Sequence, residues 1–510
     1  MPDSESWMPV PCGLRVIVHP LLTLLSGKAS CRGFLRPNSG DVRGHQASLQ
    51  VELVCPTSLF LKGTHLMPSI IYCINNFLSR VVSSVPVGTN LGLFHLLWML
   101  LSGRLLQSRG AVIPGLAAFG LSDAAVRRAW AALAYGRWRT SQLLAAWQHL
   151  VQNAGHWQAH RHGSYRPVAC DLVGFWRPRL HGCPTKHYCA QAGKALPAIP
   201  LGIMARVGSV GAQRLALPGL FVRTDADEGG EAAMQRRLLH QAQALLAPDE
   251  ALVTDRGFPL AQLQDAGITR YVSRGATNFT ARRAALPAYC GKGRRPRKGA
   301  VVRPLPRTYK ERTLAATPPD RRETWQGGTR DEPCIVTAQF WDNLVLPDAP
   351  PGAPTFPSVV IHDPRFAEPL LLNTPLPLSG AQAQAMYRDR WPVEGLPLWA
   401  KQMLGAARQF VFAPESRQRL PEIALLAGSI LAYTAATHPA LPTGFWDRTP
   451  CPTSGRLRRV LAQVHFQDLQ GLPQQLRKKQ SPTAHLPTGV CGHRRQKKAT
   501  PMRYDRPLAA

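Results

Sequence analysis

Three acids and three neighbouring side chains carry the chemistry this sequence can perform. RPVACDLV, residues 166–173, reads as a short apolar strand ending near Asp171, and EALVTD, residues 250–255, as a buried strand ending on Asp255. Alone, an acid that closes a strand is a common turn residue. Two such acids on adjacent strands of one sheet would converge at one edge. Hard divalent cations take oxygen ligands, and Mg²⁺ sites use a few carboxylates together with water and phosphate oxygens. A third acid, from a helix packed across the sheet, would complete a two-metal site. Such a site activates the attacking oxygen and stabilises the leaving oxygen of a phosphodiester. Asp225 and Asp227 are the nearest substitutes should one strand acid fall elsewhere.

The third acid comes with a more specific pattern. Residues 387–401 read YRDRWPVEGLPLWAK, in which Tyr387, Arg390, Glu394 and Lys401 follow Y-x2-R-x3-E-x6-K. On a continuous helix, at about 100° per residue, these four project within roughly 60° of one another. One stripe then offers a metal ligand, two cations for phosphates and a phenol. An ordinary amphipathic face with an i, i+4 charge pair is the plainer alternative. Pro392 fits only if a new helix starts there, because proline suits a first helical turn and breaks a helix interior. Gly395 and Pro397 are expected to disturb the helix beyond Glu394, and with it the place of Lys401.

These residues need an α/β frame. From 166 to 275 the pattern reads β-β-β-α-β-α-β, which implies an α/β sheet. The segment 276–357 interrupts it with Arg, Pro and Gly, including CGKGRRPRKG, and with strand in CIVTAQFW. Strands return at PSVVIHD and EPLLLNT, and helix follows from Ser379. Residues 67–160 read as short helices, with Leu91–Leu101 as a buried core helix. There Arg127, Arg128, Arg137 and Arg139 suit a helix-turn-helix on DNA or the solvated face of a bundle. The organisation is therefore a poorly ordered extension at 1–66 with Met67 as a candidate natural start, a helical DNA-binding domain at 67–160, a catalytic domain at 165–275 and 358–435, an insertion at 276–357, and a basic tail at 436–510.

The chain's 510 residues carry a formal charge of +31. A compact protein so charged repels itself unless its usual partner is a polyanion, and nucleic acid is the commonest. Charge alone also admits a structured-RNA-binding protein, which would leave the three acids without a role. Cysteines number 11 and are scattered, which argues against a disulfide scaffold and fits a reducing cytoplasm. His181 and His187 interleave with Cys183 and Cys189, but their spacing fits no zinc template. No apolar run reaches the roughly 20 residues of a membrane span, so no membrane is expected.

YRDRWPVEGLPLWAK together with DRGF at 255–258 resembles the motifs of bacterial insertion-sequence transposases of the insertion-sequence-four type, a branch of the DDE transposases. The resemblance covers about 165–435. It implies a ribonuclease-H-like catalytic core with a β-rich insertion between the second and third acids. It implies that Asp171, Asp255 and Glu394 bind two Mg²⁺ or Mn²⁺ ions, and that Tyr387, Arg390 and Lys401 hold the phosphates of a transposon end. Terminal inverted repeats and target DNA would be the partners of a homodimer or larger assembly in the bacterial cytoplasm, associated with the nucleoid. A decayed or repurposed copy that binds DNA without cutting it is the alternative. In the insertion, Trp325 and Trp341 are candidates for stacking a flipped base, worth about 1–3 kcal/mol, with a buried core role the commoner fate of a tryptophan.

Overall fold

The computed structural model describes residues 57–469, apart from 226, 293, 330, 331, 351, 443 and 445, together with 473 and 476; side chains are described from Met67. The readings made for residues 1–56 and for nearly all of the tail beyond 469 lie outside the described residues. The fold is mixed α/β, built on one large mixed sheet with helices on both faces.

Five strands form its centre: β1 (Arg166–Trp176), β2 (Lys194–Val210), β3 (Gln213–Arg223), β4 (Glu250–Thr254) and β5 (Tyr271–Arg274). β1 pairs antiparallel with β2 and parallel with β4, β2 pairs antiparallel with β3, and β4 pairs parallel with β5. The spatial order is thus β3-β2-β1-β4-β5. Every residue of β4 is buried, as expected of a strand covered on both faces.

Side-chain alternation assigns the two faces. Val168, Cys170, Leu252 and Tyr271 point to one face, where they pack on Met234, Leu238 and Leu239 of the helix Gly230–Leu245. Ala169, Val173 and Phe175 point to the other and join a core built from helices 57–154 and the long helix Pro414–Thr437. Ala251, Val253 and Val272 share that second face and pack on Met386 and Tyr387. Helix Asn90–Leu101 is buried along its whole length, consistent with its reading as a core helix. Helix Pro414–Thr437 is the one described helix long and apolar enough to cross a membrane, and 89% of its apolar window is buried inside the fold.

Several expectations change in detail. The first helix runs Thr57–Ser83, continuing through Met67. The helices Asp123–Tyr135 and Thr140–Ala154 are joined by four residues, with Arg127, Arg137 and Arg139 exposed around the junction and Arg128 half-buried. Most strands of the 276–357 segment extend the same sheet, while Arg307–Tyr309 and Arg312–Leu314 pair only with each other. Leu370–Asn373 pairs with β5, Phe356–His362 with Leu370–Asn373, and Pro333–Val345 with Phe356–His362. Trp341 is fully buried and donates its indole N–H to the Thr317 carbonyl at 3.0 Å. Trp325 is half-buried, packed so tightly on Gly380 that a Cβ there would come within 2.9 Å of its ring. Trp341 therefore serves packing.

Candidate active site

Sheet register brings the first two acids together. β1 does not end at Asp171; it continues to Trp176, so Asp171 is a mid-strand residue paired with Ile203. The continuation escapes a reading based on alternation because Val173 and Phe175 face one core while Leu172 packs against the other. Ala169 stands opposite Val253 in the parallel β1–β4 pair. Two residues further on each strand, Asp171 and Asp255 fall side by side on the same face.

The DRGF turn fixes Asp255. Its Oδ1 accepts the Gly257 backbone N–H at 2.9 Å. A Cβ at residue 257 would lie 3.0 Å from that oxygen, so a larger residue there would press on the Asp255 carboxylate. Phe258 anchors the turn in the opposite core, and Gln235 donates to the Gly257 carbonyl at 2.6 Å.

The Y-x2-R-x3-E-x6-K segment is not one helix but three pieces. The first helix, Gly380–Arg388, opens on a capping box in which Ser379 accepts the Gln382 N–H and the Gln382 side chain accepts the Ser379 N–H. It closes before a turn at 389–391. A second helix, Pro392–Leu398, starts with Pro392 in its first turn, where the missing N–H costs nothing. A π-helical turn, Trp399–Met403, follows. Pro397 removes one ladder bond, and Gly395 leaves room for the Trp399 ring, which a Cβ would meet at 3.0 Å. Single π turns of this kind recur at functional sites.

Despite the breaks, the predicted side chains gather over Asp171. The Arg390 guanidinium bridges two of the acids, with Nη1 3.6 Å from Asp171 Oδ2 and Nη2 2.5 Å from Glu394 Oε1. Its side chain is only 6% exposed. Burial works against its charge, but Asp171, Tyr387, Glu394 and Asp255 outweigh burial and raise its pKa. Tyr387 is buried beside it. Lys401 is half-buried, its Nζ 5.2 Å from the Phe175 ring centroid. Burial lowers its pKa and Asp171 opposes that shift.

Asp171 itself is pushed up to about 7. Burial is the largest cause, Arg390 opposes it, and Asp255 and Glu394 add like-charge repulsion. The residues that shift it are the same ones the sequence pattern singled out. Among the described residues, no three His, Cys, Asp or Glu side chains stand as a ready metal-ligating group, and His181, Cys183, His187 and Cys189 form none. The three acids nevertheless suit a hard divalent cation: they supply oxygen donors only, and the raised pKa of the half-buried Asp171 would be lowered by a positive ion beside it.

Sequence reasoning missed Asp389. Its carboxylate is 5% exposed and is held by His160 Nδ1 at 2.8 Å, His162 Nε2 at 2.6 Å and Arg214. The H-x-H pair at 160–162, just before β1, is the one local signal that pointed to it.

Comparison with protein-family models and with curated proteins finds no match to this chain.

The Asp171 shift has a measurable consequence. A carboxyl raised in the fold makes the native state bind more protons than the unfolded chain between the unfolded value near 4 and about 7. Its ionisation therefore destabilises the metal-free fold above about pH 7, and this penalty vanishes as pH falls toward 4. Asp171→Asn should raise the Tm in EDTA at pH 8, by an amount equivalent to about 1–2 kcal/mol after allowing for Arg390 nearby, and by roughly a third of that at pH 5, where only part of the penalty has built up. Thermal scans at the two pH values test this; an equal effect at both would place the cause elsewhere.

Proposed function

We propose that the chain is a DDE-type transposase, cutting transposon ends and joining the freed 3′-hydroxyl to target DNA. The observation that carries this reading is the meeting of Asp171, Asp255, Glu394 and Arg390 on one face of a sheet ordered β3-β2-β1-β4-β5. That order, a meander followed by two parallel strands, resembles a ribonuclease-H-like core. In this reading the strands beyond β5 are the β-rich insertion.

Asp171, Asp255 and Glu394 would hold two Mg²⁺ or Mn²⁺ ions, which when bound supply Lewis-acid activation of the attacking oxygen and stabilisation of the leaving one. Arg390 then leaves the carboxylates for a backbone phosphate, which its planar fork can take in two hydrogen bonds. Lys401 neutralises a neighbouring phosphate, and the Tyr387 phenol supports Arg390 from the buried side. Exposed Arg127, Arg137 and Arg139 on the helical region give end DNA a second basic contact. Two copies of the chain would act on paired inverted repeats.

The test uses the full chain with a duplex carrying the inverted repeats that flank its coding DNA. Nicks exposing 3′-hydroxyls at the repeat boundary, dependent on Mg²⁺ or Mn²⁺ and suppressed by EDTA, are the expected result. Tight end binding with no cleavage in either metal would favour a repurposed DNA-binding protein. The Arg390–Glu394 pair gives that second reading its one observation.

A further inference from the structure

Arg390 lies where regular structure stops. It occupies the turn between helices Gly380–Arg388 and Pro392–Leu398, and Pro392 has no N–H to contribute to a continuing ladder. Its Nε has no hydrogen-bond partner among the described residues. Glu394, at i+4, is within local reach of the guanidinium, but contact with Asp171 on β1 depends on how the turn sits against the sheet.

The residue before it is a buried carboxylate held by three side chains. Asp389 Oδ2 accepts from both His160 Nδ1 and His162 Nε2, and Oδ1 accepts from Arg214. His160 is fixed in turn by Ser209 on β2, and Arg214 belongs to β3. One residue earlier, Arg388 Nη2 is tied to Asp363 Oδ2 at 3.0 Å. The turn is thus pinned to the hairpin end of β2–β3 and to the segment leading into β1. A side chain one residue along a pinned turn has its direction set, and charge-assisted bonds to a buried carboxylate are the strong kind. Burial opposes the charge on Asp389, but these partners outweigh it and hold its pKa far below the usual carboxylate range.

We propose that Asp389, gripped by His160, His162 and Arg214, is the positioning residue that holds Arg390 against Asp171 and Glu394. The proposal rests on the reading of that acid cluster as the cutting site. Its hydrogen-bond partners His160, His162 and Arg214 are not members of that cluster, so the influence of Asp389 passes through the backbone of 389–391. A loosened Arg390 leaves Asp171 and Glu394 to repel one another, and the phosphate it would take is met off-line. Misplacement by about 1 Å can cost about a hundredfold in rate.

The experiment compares Asp389→Asn with Glu422→Gln in the full chain. Glu422 is an equally buried carboxylate, held by Arg223 and Thr140 on helix Pro414–Thr437, so it controls for losing a buried ionic contact. Single-turnover cleavage of end DNA in Mg²⁺, the end-DNA dissociation constant, and backbone hydrogen exchange of peptides covering 387–398 are measured for both. Asp389→Asn is expected to slow cleavage tenfold or more, about that order following from the misplacement argument, with a dissociation constant within about twofold. Exchange should accelerate in 387–398 for Asp389→Asn and not for Glu422→Gln. His162→Ala, which removes one donor of three, should show the same pattern more weakly and serves if Asp389→Asn does not fold. Unchanged exchange in 387–398, or a cleavage loss no larger than that of Glu422→Gln, overturns the proposal. A wild-type chain that cuts nothing while the exchange result stands would instead overturn the cutting-site reading alone.

Discussion

Asp255→Asn is expected to reduce strand cleavage about a thousandfold or more while end-DNA affinity stays within about threefold of wild type. The size follows from what the carboxylate would do. Stabilising the charge that develops on the attacking and leaving oxygens is worth several kcal/mol, and each 1.36 kcal/mol is a factor of ten in rate, so about 4 kcal/mol corresponds to about a thousandfold. Asparagine keeps the size and the oxygen that accepts the Gly257 N–H, so the DRGF turn should survive with Phe258 still in its core. Binding rests on Lys and Arg contacts to phosphates, which this change leaves alone. Cleavage timed under single-turnover conditions and binding measured by titration decide the matter. Parallel losses of binding and cleavage would mean that Asp255 supports the fold of the DNA surface, and the two-metal reading would lose its second ligand.

Much of the site was legible because it is written locally. DRGF carries its own turn chemistry, and the strand–helix alternation from 166 to 275 follows the observed elements closely. The Y-x2-R-x3-E-x6-K spacing is met by side chains that do converge, though not for the reason the spacing suggests. A continuous helix would align them, yet the chain breaks at 389–391 and widens into a π turn at Trp399–Met403. Packing of Tyr387 seats the first helix and packing of Val393, Leu396 and Ala400 seats the second helix and the π turn, while the turn between them is held through Asp389.

What was not legible depends on distant partners. Asp389 is 229 residues from His160 and 227 from His162, and no periodicity in either segment reports that contact. Strand β1 runs past residue 173 to Trp176 without a local sign, because a strand buried on both faces has no polar alternation to mark its end. The 276–357 segment read as an interruption, since its Arg-, Pro- and Gly-rich loops mask strands whose role is to pair with Leu370–Asn373 and beyond. In each case the missing information is tertiary, and the fold resolves it through sheet register.

Arg390→Ala should act on binding, cleavage and stability at once, and the three effects separate by salt and pH. If the guanidinium moves to a phosphate in the DNA complex, its loss removes one counterion-releasing contact, so the slope of log affinity against log salt should fall by about 0.9, without altering sequence preference. Cleavage should fall about a hundredfold, because the end is no longer held in line with the acids. In the metal-free protein the same change strips Asp171 and Glu394 of their bridging cation. Breaking a buried ion pair can cost about 3–5 kcal/mol, but Glu394 is 38% exposed, so water screens part of this and about 1–2 kcal/mol is the expected loss at pH 8. The sign with pH follows from Asp171. Arg390 restrains the upward shift of that carboxyl, so without it the folded-state pKa climbs above 7 and the ionised form is penalised further. The destabilisation should therefore be largest above pH 8 and shrink as Asp171 takes up its proton toward pH 5. Lys401→Ala should give the smaller effect on stability, since its ammonium lies against Phe175 and bridges no acid pair. Titrations at several salt concentrations, together with Tm against pH in EDTA, test all of this. A salt slope equal to that of wild type would remove Arg390 from the phosphates, and a destabilisation independent of pH would remove it from Asp171.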